Sequence, residues 1–188
     1  MHKKLTKYIN SYDVIEDTKS YTLVPNGGMI VLINNENSCE VTIENTQYEI
    51  DSFQIILLNA YTCPLEIKSD KNINMVAVRF KGAGASFFYE EYMDELMYNP
   101  NTPIYLEKLE ENKDIKELDP YFQNRFKASP LPFNIMKIIE LLDNQGSEYN
   151  IDEVLGIANV PRKILDKMFR LRAGLTFKTY ASIKELER

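Results

Sequence analysis

The residues of this chain best suited to chemistry are cationic and crowd one short stretch. Residues 159–180, NVPRKILDKMFRLRAGLTFKTY, carry Arg162, Lys163, Lys167, Arg170, Arg172 and Lys178 against a single acid, Asp166. On a helix turning 100° per residue, Arg162, Asp166, Arg170, Lys163 and Lys167 share an arc of about 140°. Leu171, Ile164, Met168, Leu165 and Phe169 take the opposite side, where they are expected to anchor the helix in a core. Arg172 alone intrudes on that apolar side, in a last turn from which it is expected to reach outward. A cationic arc of this kind neutralises phosphates while its longer side chains reach base edges in a major groove. Charge by itself equally describes a solvated helix face.

Other chemistries lack their residues. His2 is the one histidine, so neither a His-rich transition-metal centre nor a Ser-His-Asp or Cys-His nucleophile is expected. The chain reads as a non-enzyme with no cofactor. KGAGAS (81–86) lacks the Gly-Lys-Ser/Thr ending of a phosphate loop and reads as a turn after a strand. Arg79, inside the alternating VAVRF, is expected to form an internal salt bridge rather than to anchor an anionic ligand. Cys39 and Cys63 read as reduced, packed thiols of a cytoplasmic protein. No apolar run approaches the roughly 18 residues of a membrane span, and MHKKLTKYINSYDV lacks the apolar core of a secretory signal. No membrane partner is expected.

Something must hold the cationic arc in place, and the composition allows a real core: 188 residues, 44% hydrophobic and 27% charged. The net charge of −6 is unevenly divided, with eight Lys/Arg and three acids in residues 160–188 against fourteen and twenty-five elsewhere. Such asymmetry suits a chain whose one end meets a polyanion. From Tyr21 to Phe80, strands are expected at 29–34, 39–45, 46–50, 53–60, 63–69 and 73–80, separated by PNGG, NNENS and SDKN. Val41, Ile43, Tyr48 and Ile50 would form one buried face of a hairpin. Tyr48, Phe53, Tyr61, Phe80, Phe87 and Phe88 read mostly as core, with some available to line a small-molecule pocket in a barrel mouth.

Beyond residue 85 the texture turns helical. ASFFYEEYMDELMY (85–98) suits a short helix. Residues 106–129 are charged and mostly helix-forming, with Pro120 as a break or kink and an apolar row of Leu106, Leu109, Ile115, Leu118, Phe122 and Phe126. That row fits either a dimer contact or packing between the chain's own domains. Four helical signals then follow from 131, punctuated by Gly146, Asn150, Pro161, Gly174 and Thr176. Two short helices joined at Asn159-Val160 match helix-turn-helix geometry. The expected class is α+β: an antiparallel β sandwich or barrel over 1–98, a helical connector over 99–130, and an all-α domain over 131–188.

Residues 151–188 resemble the first helix-turn-helix unit of AraC-type transcription regulators and the start of their linker helix. Val154, Leu155, Val160, Leu165 and Phe169 match, Gly174 falls five residues after Phe169, and LTFKTY stands where the family usually has a small residue, Pro, a basic pair and an aromatic. LVPNGGMIVLINN and VAVRFKGAGASFF resemble parts of the cupin-like sensor domain of such regulators. Pro161 stands where the family has Ser, leaving Asn159 as an alternative cap, and Phe177 stands where it has Pro. The resemblance covers one of the family's two helix-turn-helix units and stops inside the linker helix. It implies double-stranded DNA as partner, a recognition helix at 161–173, a small-molecule effector and a homodimer. On this reading Arg162, Lys163, Asp166, Lys167 and Arg170 face the DNA, and Lys178 touches a phosphate. A non-catalytic ligand- or partner-binding module with a vestigial helix-turn-helix is the alternative.

Overall fold

Alternating apolar residues decide the first half of the chain. In the computed structural model, which describes residues 1–111, 114–128 and 134–187, seven antiparallel strands make one curled, half-barrel sheet. They are β1 (Ile9–Leu23), β2 (Ile30–Asn34), β3 (Cys39–Ile43), β4 (Thr46–Ile50), β5 (Gln54–Leu58), β6 (Leu65–Phe80) and β7 (Ile104–Lys108). The order is β4-β3-β6-β2-β5-β7, with β1 lying along the other edge of β6. The expected hairpin is β3–β4, in register Val41↔Tyr48. Val41, Ile43 and Ile50 are wholly buried, while Tyr48 is half-buried against the same cluster.

Two strand boundaries differ from expectation. The stretches 63–69 and 73–80 belong to one strand, β6, whose polar SDKN does not reverse the chain. Its two halves serve different neighbours, β3 at Glu66–Lys68 and β2 at Met75–Arg79. Between Lys68 and Ile73 the pairing with β1 slips, so that 69–72 face the short step from Ser20 to Thr18. A bulge of this kind bends a strand without ending it. β1 itself starts at Ile9, well ahead of the first strand texture at Tyr21. β7 lies in the stretch expected to be a helical connector.

Both faces of the sheet are covered. Ile30, Leu32, Ile56, Leu58, Ile67 and Met75 fill the inside of the curl. Val31, Ile33, Ile55, Leu57, Val76 and Val78 meet helices α1 (Met93–Tyr98) and α2 (Ile115–Arg125) on the outside. α2 starts at Asp114, whose carboxylate accepts from the Lys116 amide at 2.8 Å, and runs through Pro120 without ending. Leu118 and Phe122 are fully buried against the sheet, Phe122 edge-on to Phe80 and Phe88. Tyr12 on β1 donates to Asp119 at 2.9 Å. Four members of the expected apolar row, Leu106, Leu109, Leu118 and Phe122, thus pack inside the chain. Phe126, though partly exposed, lies against Tyr8, Phe87 and Phe88, while Ile115 stays exposed. Arg79 pairs with Asp13 at 2.5 Å, the internal salt bridge expected of it.

Four further helices build a second core: α3 (Ile135–Gln145), α4 (Ile151–Ala158), α5 (Arg162–Ala173) and α6 (Phe177–Leu186). The expected start of the helical domain at 131 lies outside the described residues. Ile138, Ile139, Leu142, Val154, Leu165, Phe169 and Tyr180 pack together there. Ala83, from the 3-10 turn Gly82–Phe87 that follows β6, joins this core and ties the two parts of the chain. The fit is tight enough to need glycine: a Cβ on Gly82 would meet Ile139 at 2.6 Å, on a backbone with φ of +43°. Across the helical core the Tyr180 hydroxyl donates to Asp143 at 2.5 Å. Burial pushes the Asp143 carboxyl above the usual carboxylate range despite that bond, and burial beside Asp143 also raises the Tyr180 phenol.

Candidate nucleic-acid interface

Local chemistry fixes the two helices of the turn. Asn150 caps α4 by accepting from the Asp152 amide at 2.8 Å, and Asp152 and Glu153 suit the positive end of the helix. α4 ends at Asn159 in the left-handed region, φ 52°, a conformation Asn tolerates. Asn159 therefore caps the end of α4 rather than the start of α5. That start falls to Pro161, which makes no side-chain cap bond. α5 closes on Gly174 with φ of +77°, where a Cβ would sit 2.0 Å from the Asn59 side chain of the β unit. Thr176 then opens α6, its hydroxyl accepting from the Thr179 amide at 3.0 Å.

The inward side of α5 is Leu165, Phe169 and Ala173, all fully buried, with Phe169 edge-on to Phe177 and Tyr180. Met168 is half-buried and packs against this core as expected, whereas Ile164 is 46% exposed and is not the anchor the helical wheel predicts. Arg172 also departs from expectation. It does not reach outward: it is buried at the seam with the β unit, where Nη2 donates to Glu90 Oε1 at 2.8 Å. Its Nε and Nη1 have no hydrogen-bond partner among the described residues.

On the other side Arg162, Lys163, Lys167, Arg170 and Lys178 are exposed and Asp166 is half-buried. Among the described residues none of the five cations enters an ion pair. Arg162 lies over the Phe177 ring at 5.9 Å, a cation–π contact that steadies an otherwise mobile side chain. Arg162, Asp166, Lys167, Arg170 and Lys178 line one open cleft of about 420 Å³ together with Thr176, Phe177 and Met97. Lys163 stands on the same helix but outside the cleft. Four cations against the one acid Asp166, gathered at the N-terminus of α6, form a place for an anion. Thr176 was legible as a cap. Met97 comes from α1 of the β unit and carries no local signal at all.

Among the described residues no helix is long and apolar enough to cross a membrane, and no cluster of His, Cys, Asp and Glu is arranged to hold a metal. No protein-family model matches the chain, and no curated protein matches it either. Solved structures do. The chain is similar to ToxT from Vibrio cholerae, with a TM-score of 0.50 and 16% identity over 94% of this chain and 80% of that one. ToxT of strain O395 gives 0.51 and 15%, over 97% and 80%. ToxT bound to (E)-4-(8-methylnaphthalen-1-yl)but-3-enoic acid gives 0.51 and 18%, over 94% and 81%. At such identities the likeness is one of fold, a β part followed by helices.

Proposed function

We propose that the chain is an AraC-type transcription regulator that binds duplex DNA through α5. The observation that carries this reading is the convergence of Arg162, Lys167, Arg170 and Lys178 on one open cleft beside a helix N-terminus. These cations have no ion-pair partners among the described residues, so a polyanion supplies the counter-charge the fold leaves out. The shared fold with ToxT, an AraC-family regulator, supports the same assignment. In this reading α5 enters the major groove, and Arg162, Lys163, Lys167 and Arg170 divide base edges and phosphates between them. Asp166 accepts from a cytosine amine or orients a neighbouring arginine. Lys178 and the first amides of α6 hold a phosphate.

The division of labour follows: the β unit, which includes β7 and carries α2 on its sheet, senses, and the helical unit of α3 to α6 reads. ToxT is described bound to an unsaturated fatty acid and to a substituted butenoic acid, and a small-molecule effector is the counterpart role for this β unit. A homodimer would present two such reading helices to a two-fold site.

The test is a duplex titration at several salt concentrations. Alanine at Arg162, Lys163, Lys167 and Arg170 together is expected to abolish binding without unfolding the chain. Each single loss of a phosphate contact should flatten the slope of log affinity on log salt by about 0.9. A quadruple variant that stays folded and binds as the parent does would falsify the reading.

A further inference from the structure

Met97 is the one wall of the cationic cleft that the helical unit does not provide. It projects from α1 of the β unit into a cleft otherwise lined from α5, the α5–α6 turn and α6. An apolar, unbranched thioether among Arg162, Lys167, Arg170 and Lys178 has no charge to offer a phosphate. It suits an apolar patch on a base edge, and in the major groove that patch is the C5-methyl of thymine.

α1 is not free to swing away from α5. Gly174 at the end of α5 abuts Asn59, whose amide donates to the Leu96 carbonyl of α1 at 3.4 Å. Arg172 of α5 holds Glu90, just before α1, at 2.8 Å. Both contacts lie ahead of Met97 in the chain, the one at Leu96 on the residue next to it, so its position relative to the recognition helix is set before any duplex arrives. The acids of α1 and of the turn before it lie outside the cleft lining. Glu90 is taken by Arg172, and Glu91 by Arg125 and Lys127. Asp94, one turn before Met97 on α1, is exposed and has no ion pair among the described residues.

Resting on the DNA-binding reading, we propose that Met97 of the β unit is a specificity-determining residue that packs on a thymine methyl at the edge of the site read by α5. The sensing part of the chain thereby contributes directly to sequence choice.

The experiment uses the full chain and a duplex it selects from a randomised library. Each thymine of that duplex is then replaced by uracil, which removes only the methyl. One replacement is expected to weaken the parent about fourfold, the worth of one buried methyl. The same replacement should leave Met97→Ala unchanged, and Met97→Leu should keep most of the effect. If every uracil duplex affects parent and Met97→Ala alike, the proposal is overturned. If Met97→Ala instead binds all duplexes more tightly, Met97 is an obstruction and the proposal is equally overturned. In both cases the DNA-binding reading survives, provided the quadruple Arg162/Lys163/Lys167/Arg170 variant loses binding to the same duplex. A chain that selects no duplex removes both.

Discussion

Replacing Glu90 by alanine tests how the reading helix is seated on the β unit. Arg172 is 9% exposed, and Glu90 is its single hydrogen-bond partner among the described residues, with Nε and Nη1 already unmatched. Removing one member of a fully buried pair costs about 3–5 kcal/mol, because the other charge is left desolvated and alone. Glu90 keeps 32% of its side chain in solvent, so water reaches the gap and part of that cost is recovered. The expected loss for Glu90→Ala is about 2 kcal/mol, or roughly 4–8 °C in Tm for a chain of this length. The opposite truncation behaves differently. Arg172→Met removes the buried charge with its unmatched donors, fills a similar volume, and leaves a half-exposed carboxylate that water can solvate. It should lie within about 1 kcal/mol of the parent, and the double variant should sit close to it. Urea titrations followed by far-UV circular dichroism and by tyrosine fluorescence measure all three. If Arg172→Met costs as much as Glu90→Ala, the seam is held by the ion pair itself and the argument from desolvation is wrong.

Phe169→Ala should lose about 3–5 kcal/mol, since the ring is wholly buried among Phe177, Tyr180 and the α3 side chains. Ile164→Ala should cost less than about 1 kcal/mol from its exposed position, and equal losses in a denaturation series would contradict the burial seen here. The buried Asp143 carboxyl, raised above its ordinary range, contributes stability in its protonated form that fades as pH rises through its folded-state pKa. Asp143→Asn should therefore flatten the pH dependence of unfolding on the alkaline side of the ordinary carboxylate range while keeping an acceptor for Tyr180. A profile that stays parallel to the parent's would rule this out.

What was legible in the sequence follows from where the physical signal is local. The β3–β4 hairpin alternates cleanly, and α4, α5 and α6 carry their own punctuation in Asn150, Gly174 and Thr176, so each could be read within a few residues. β1 could not. Of its fifteen residues only Ile9, Ile15 and Leu23 are buried, and bulges near Asp17 break the alternation that would reveal it. In β6 the polar SDKN carries the composition of a turn, and only pairing on both sides keeps it extended. The cationic arc was visible because helical period alone generates it. Arg172 and Met97 were misjudged or missed for one shared reason: each is defined by the other part of the chain. A helical wheel places Arg172 correctly among apolar neighbours yet has no means of supplying Glu90.

The far ends of the sheet, β4 and β7, meet without a shared ladder. Tyr105 donates to the Glu49 carbonyl at 2.9 Å, Lys108 pairs with Asp51 at 2.7 Å, and Asn101 donates to Glu44 at 2.8 Å. On the ribosome this arrangement imposes a schedule. The hairpin that bears Glu44, Glu49 and Asp51 emerges 56 or 57 residues before its partners Asn101, Tyr105 and Lys108, roughly 3–11 s at ordinary rates of synthesis. Throughout that interval the outer edge of β4 offers unpaired backbone groups to any neighbouring nascent strand. Gln47 and Glu49, polar and exposed on one face of β4, are what keep a waiting edge from recruiting the wrong partner.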